Sequence, residues 1–214
     1  MTLARITHLR QILENLYIER GKDLPYHGWH HIYFVAKKAV LFAGELGADV
    51  EIVEAAALTH DLNYLVEPYS EPEAGKQLRE SYLGKAKFNA KEIQEIETIV
   101  MQGHMGTRHA DISDAAKALS DADTLYKSLP TTPILLTGNF IAQNKVDIET
   151  LAAKIVREQR PLMDQDIYFY TDAAKSRYMH WAKVNLAMWE NVLEATHDPD
   201  VEETLRIARQ FGAM

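Results

Sequence analysis

The chain has no cysteine among its 214 residues. That excludes a disulfide framework, a cysteine-rich zinc site and a thiolate nucleophile, and it fits a reducing compartment. Positive charge is in deficit, with 23 Lys and Arg against 31 Asp and Glu and a formal net charge of −8. Such a chain is a poor non-specific binder of DNA or RNA, so a nucleic-acid polymer is not the expected partner. Long hydrophobic runs are missing too. The most apolar stretch, Pro133 to Ala142, contains Gly138 and Asn139 and falls far short of the ~20 residues a membrane span needs. The opening Met1-Thr-Leu-Ala-Arg5 has no basic region followed by an apolar run, so it is not a secretory signal. Strand signals are nearly absent, and the one short aromatic run, Ile167-Tyr-Phe-Tyr170, reads as a loop or helix edge. There is no Gly/Ser/Pro-rich linker and no internal repeat. The expectation is one all-α domain over residues 1–214, a multi-helix bundle in a soluble cytoplasmic protein.

What is present is helical periodicity. Leu3, Ile6, Leu9, Ile12, Leu13 and Leu16 recur at three- and four-residue steps, and Gly21 and Pro25 close that segment. Ile32, Val35, Ala36, Ala39, Val40, Ala43 and Leu46 repeat the pattern before Gly47, a C-terminal stop. Asp49 is a cap for a short helix through Leu58. Further starts lie at Ser70 or Glu71 before Pro72, at Asn89, at Thr132-Pro133, at Asp147, at Thr171 or Asp172, and at Asp198-Pro199. Roughly nine or ten helices follow from these signals. Trp181 and Trp189 belong either to the core or to a homodimer face.

Nine histidines are the unusual feature. Three sit in Tyr26-His27-Gly28-Trp29-His30-His31, one in His60-Asp61 at the end of the apolar run Ala55–Thr59, and one at His104. Asp121-Ala122-Asp123-Thr124-Leu125 adds carboxylates on another helical stretch. Imidazole and carboxylate together suit Mn, Fe, Co, Ni, Zn or Mg, with Mg the least satisfied by histidine. His31 precedes Val35 and Ala39 on an apolar face, so its ring should point inward. Neighbouring His60 and Asp61 diverge by about 100° on a helix, so they can share one ion only near a helix end or flanking its inward face. A buried Asp61 or Asp123 is costly unless paired or metal-bound.

In that order the residues resemble the HD-domain superfamily of metal-dependent phosphohydrolases. His31-Ile32-x-x-Val35, the small-apolar helix ending in His60-Asp61, and Ala122-Asp123-Thr124-Leu125 match the family's three motifs, over about residues 26–129. The resemblance weakens into the C-terminal helices, residues 130–214. It implies an all-α HD-type fold and a divalent metal ion held by His31, His60, Asp61 and Asp123. Asp123 rather than Asp121 is taken because it follows the alanine and precedes the leucine by two. The family's stringent-response hydrolases carry a Glu-Asp pair soon after His-Asp. Tyr64 and Leu65 stand there instead, which disfavours a guanosine-tetraphosphate substrate. The two-metal members use two more histidines, for which this chain offers only His104 and His109. One ion per chain is therefore expected.

The implied activity is hydrolysis of a small phosphate ester or nucleotide by metal-activated water, with Asp61 orienting the water and His104 donating to phosphate or leaving group. His27, Trp29 and His30 are placed at the mouth of the site. Lys76 and Arg79 are weighed as phosphate contacts against a solvated helix face, and Arg177 as a contact at the mouth against a helix-solubilising role beside Thr171 and Lys175. A diiron oxygenase on the same fold, and a non-catalytic metal- or nucleotide-binding module, are the alternatives.

Overall fold

The computed structural model describes residues 2–104, 106, 108 and 111–212. His109 lies outside the described residues. Ten α-helices and no strand are found among them. These are α1 (Thr2–Arg20), α2 (Trp29–Leu46), α3 (Val50–Thr59), α4 (Lys76–Lys85), α5 (Ala90–Gly103), α6 (Asp114–Ser128), α7 (Thr131–Asn144), α8 (Ile148–Asp164), α9 (Asp172–Thr196) and α10 (Pro199–Gln210). None is long and apolar enough to cross a membrane.

The helix limits follow from local chemistry. Gly47 ends α2 with φ of 71°, a left-handed conformation that costs glycine little. Two residues later the Asp49 carboxylate accepts from the backbone N–H groups of Glu51 and Ile52 to start α3. Asn89 opens α5 with a reciprocal capping box closed by Glu92. Asp147, Thr171 and Asp198 cap α8, α9 and α10 through their side-chain oxygens. The start expected at Ser70-Glu71-Pro72 is tighter than an α-helix. Pro72–Gly75 form a 3-10 turn, and α4 follows at Lys76.

Helix α2 packs most extensively against α6 and α3. Ile32, Val35, Ala39 and Phe42 of α2, with Ala55 and Ala56 of α3 and Ala118 and Ala122 of α6, are fully or almost fully buried there. The small side chains let three helices approach closely, which brings His31, His60 and Asp123 to one end of the bundle. The core continues into the C-terminal half, since Leu162, Tyr168, Phe169, Ala174 and Ala182 join the same cluster. A smaller cluster of Leu151, Ala152 and Trp189, flanked by Phe140 and Ile155, lies among α7, α8 and α9. Trp181 packs at the edge of the main core, against Tyr178 at 5.3 Å. Trp189 is thus buried in the smaller cluster, and Trp181 packs half-buried on the main core.

Candidate metal centre

Two neighbouring residues, His60 and Asp61, meet the other helices because α3 ends beneath them. Thr59 is its last residue. His60 keeps helical backbone angles, while Asp61 at φ −100°, ψ 15° turns into the 3-10 segment Leu62–Leu65. That break brings both side chains to the same point, the helix-end arrangement the sequence required. His31 reaches them from the first turn of α2, fully buried, and Asp123 from the middle of α6.

The donor atoms converge closely. His31 Nε2 lies 3.2 Å from His60 Nε2, 3.0 Å from Asp61 Oδ2 and 3.5 Å from Asp123 Oδ1. His60 Nε2 lies 3.3 Å from Asp61 Oδ2 and 4.0 Å from Asp123 Oδ1. Ligands at adjacent positions around an ion with bonds of about 2.1 Å stand ~3.0–3.4 Å apart, and opposite ones ~4.2 Å. The separations among His31, His60 and Asp61 fall in that range, and Asp123 stands somewhat farther out. His60 Nδ1 sits 2.8 Å from the carbonyl oxygen of Ala57 and donates to it, so the neutral ring turns the Nε2 lone pair inward. His31 Nδ1 has no partner among the described residues, and its ring packs edge-on to Tyr126 at 4.5 Å. His31, His60 and Asp61 each bring one donor atom to a common point, and Asp123 approaches it from α6. Two imidazoles and a carboxylate in that arrangement fit a divalent metal.

The electrostatics follow the same geometry. Burial pushes Asp61 up, but His60 and His31 outweigh it and hold the carboxyl well below the usual range. Asp123 is also held low, against burial, by Lys127, His31 and His60. His60 is drawn down by burial yet ends above its ordinary value because Asp61 and Asp123 face it.

A small cavity reaches these ligands and widens into a cleft of about 620 Å³. His27, Tyr64, His104 and Lys127 line both, and so mark the passage between them. Sequence reasoning missed Lys127. Its Nζ stands 2.6 Å from Asp123 Oδ2, one helical turn along α6, a pairing that an acid four residues before a lysine signals. His27 is held by Gln143 of α7. The Gln143 Oε1 accepts from the backbone N–H groups of Tyr26 and His27, so its Nε2 must donate to His27 Nδ1, 2.6 Å away. The His27 proton therefore resides on Nε2. Burial lowers the ring's pKa to about 3 and keeps it neutral, and it stacks on Tyr64 at 4.1 Å. His104 is exposed at the cavity rim, with its Nε2 3.8 Å from a Glu71 oxygen.

Other expected mouth residues lie elsewhere. Trp29 packs against Tyr17 at 6.0 Å, and His30 is an exposed neighbour of Tyr126; neither lines the cavity. The reason is helical phase, since both sit inside α2 and are rotated away from His31. Arg79 is no phosphate contact and no solvated residue. It is fully buried and grips Glu97 with two bonds of 2.8 Å. Lys76 is exposed beside Glu80. Arg177 pairs with Glu45 at 2.7 Å and does not line the cleft. Thr171 caps α9, and Lys175 binds Asp166. Asp121 is a structural anchor. Its buried carboxylate accepts from the N–H groups of Tyr170 and Thr171 at 2.8 and 2.7 Å and faces Arg108 at 3.3 Å.

Residues 28–127 match the HD domain family. Among solved structures, Bacillus subtilis YpgQ in complex with ADP shares 21% identity, covering 94% of this chain and 100% of that one, with a TM-score of 0.64. An HD-superfamily hydrolase from Bacillus thuringiensis shares 23%, covering 91% and 95%, with a TM-score of 0.60. A Lactobacillus plantarum protein shares 18%, covering 91% and 98%, with a TM-score of 0.67. These likenesses concern the fold. No curated protein matches the chain.

Proposed function

With an HD domain over residues 28–127 as the premise, we propose that the protein is a metal-dependent phosphohydrolase acting on a small phosphate ester or nucleotide. One observation supports the reading: His31, His60 and Asp61 bring donor atoms together with Asp123 beside them, and His60, Asp61 and Asp123 line a cavity. Each residue supplies one ligand to a single divalent ion. When bound, that ion supplies Lewis acidity at the phosphoryl oxygen and lowers the pKa of its water.

The chain's own side chains do the rest. Asp61 stays ionised and orients the attacking water, taking its proton. Lys127, beside Asp123, holds a non-bridging phosphate oxygen at the passage into the cleft. His27 offers its Nε2 proton from a ring whose tautomer Gln143 sets. His104 reaches the leaving group or phosphate from the rim. The ADP bound to YpgQ supports trying nucleoside phosphates early in a substrate screen.

The test is elemental mass spectrometry of the purified, unchelated protein beside Asp61→Ala and His31→Ala, coupled to a phosphate-ester screen. About one transition metal per chain is expected, lost in both variants together with turnover. A wild type that holds no metal after refilling with Mn, Fe, Co or Ni, and that cleaves no ester, refutes the proposal.

A further inference from the structure

The cleft beyond the metal ligands has two chemically different ends. At the near end stand His27, His104 and Lys127. Toward α8 and α9, which we call the far end, the wall is Leu151, Ile155, Leu162 and Trp189, with Phe140 of α7 between them and Tyr26, 4.9 Å from its ring. Leu151 and Trp189 belong to the second hydrophobic cluster, on which Phe140 and Ile155 pack. The cleft thus runs between the main core, to which Leu162 belongs, and the second apolar cluster, with Phe140 packed on both.

Several polar side chains along that wall use one donor or acceptor within the protein. Thr132 Oγ1 donates to the Tyr126 carbonyl, Thr137 Oγ1 to the Pro133 carbonyl and Asn144 Nδ2 to the Phe140 carbonyl. Gln159 Oε1 accepts from Tyr168, and Lys154 pairs with Glu158 at 3.2 Å. A ribose or the polar edge of a base placed there would lose water and face the apolar side chains of the second cluster over much of its surface, which is unfavourable. A hydrocarbon surface would lose water at no such cost. A phosphoryl group with a short polyol fills only a small part of about 620 Å³, a volume in the ~300–1,000 Å³ range of sites that enclose a sizeable ligand.

We propose that the far end of the cleft is a leaving-group subsite for an uncharged, hydrocarbon-rich group, aryl or branched alkyl, joined to the phosphoryl group at the metal end. This deepens the phosphohydrolase reading and rests on it for the word substrate. The subsite itself binds its apolar group whether or not any bond is cleaved. Its specificity follows from the chemistry of the wall. Extending the ester into the cleft by an apolar ring raises kcat/KM, and extending it by polar atoms does not.

The experiment pairs a kinetic with a binding readout on the full chain loaded with Mn(II). Hydrolysis of 1-naphthyl phosphate, glycerol phosphate and a nucleoside monophosphate is compared, and calorimetry compares 1-naphthylphosphonate with methylphosphonate, neither of which can be hydrolysed. The expected result is a preference of about tenfold or more for the naphthyl compound in both readouts. Ile155→Trp and Thr137→Trp, which fill the cleft from two different helices, should each bring that ratio toward one. Circular dichroism melts identify a variant that has merely failed to fold, and two independent sites keep the test decisive. Glycerol phosphate or the nucleotide turned over as well as the naphthyl ester, with ratios unmoved by either tryptophan, overturns the subsite and leaves the hydrolase standing. Naphthylphosphonate bound selectively and lost in both variants, with no ester cleaved, upholds the subsite and removes the hydrolase. Equal weak binding of both phosphonates, with no turnover, overturns both.

Discussion

Arg79 offers a quantitative test of whether a buried charge serves structure or substrate. Its side chain is fully buried, and that of Glu97 is 7% exposed. The guanidinium meets the carboxylate with two parallel contacts of 2.8 Å, joining α4 to α5. It also lies against the turn that carries Gly75, whose Cα approaches the guanidinium and Asn63 so closely that a Cβ would stand 2.7 Å from Arg79 Nη1. Replacing Arg79 by methionine keeps most of the volume and leaves Glu97 as an unpaired buried charge. Breaking one side of such a pair costs about 3–5 kcal/mol. At roughly 2–4 °C per kcal/mol for a chain of this size, Arg79→Met should melt about 6–20 °C below the wild type. Arg79→Met combined with Glu97→Leu should recover much of that loss, because neither charge is then stranded. Thermal melts of the two singles and the double, each with metal removed, measure the coupling. An Arg79→Met protein that melts with the wild type but shows a raised KM for phosphate esters would refute the structural assignment and restore a phosphate contact.

Acid should act through His27. Its folded pKa of about 3 lies below the ordinary 6.5, so the unfolded chain takes up the proton first. Its contribution is complete above about pH 6.5 and is lost as pH falls toward 3, on the order of 2 kcal/mol by pH 5. Denaturant titrations across that range should show a shallower pH slope for His27→Gln; an unchanged slope would contradict the burial argument. The two nearby aspartates of α6 should separate cleanly. Asp121→Ala strips the N-terminus of α9 of its acceptor and strands Arg108, so the chelated protein loses about 3–5 kcal/mol. Asp123→Ala removes metal and activity, with little change in the melt of the chelated protein. Identical behaviour of the two variants would undo the assignment of Asp123 as the ligand. Lys127→Met should raise KM for phosphate esters roughly 10- to 100-fold, the worth of a charge-assisted bond, without lowering metal content. Unchanged KM removes Lys127 from the site.

The readable parts of the sequence were those with short-range causes. Helix periods and caps depend on residues three or four apart, so Gly47, Asp49, Asn89 and Asp147 mark their helix ends in the sequence as they do in the fold. The four candidate ligands were legible because each lies in a local pattern. Their meeting point was not, since it depends on α3 ending at Thr59. Arg79 resembled a surface charge because its partner lies 18 residues away on another helix. Gln143 carries no local mark at all. Its effect on His27 crosses 116 residues and exists only once α7 lies against the start of α2. Lys127 is the exception that could have been found, since it stands one turn from Asp123.

The local charges also bear on how an acidic chain would accept the anion that the proposed reaction requires. Asp61 and Asp123 carry negative charge, Lys127 offsets one of them, and His27 is held neutral by burial. With His31 and His60 neutral the cluster is formally anionic by one unit, and a divalent ion reverses that sign. The surplus of acidic residues over the rest of the chain acts from outside, where salt screens it beyond about 10 Å. The buried cluster is screened far less. Its sign, not the net charge of −8, decides whether a phosphate settles at the cavity floor. On the proposed reading, metal occupancy would govern affinity as well as chemistry. The same phosphoryl group that the loaded site holds would be repelled by Asp61 in the empty one, so ligand and ion should each tighten the binding of the other.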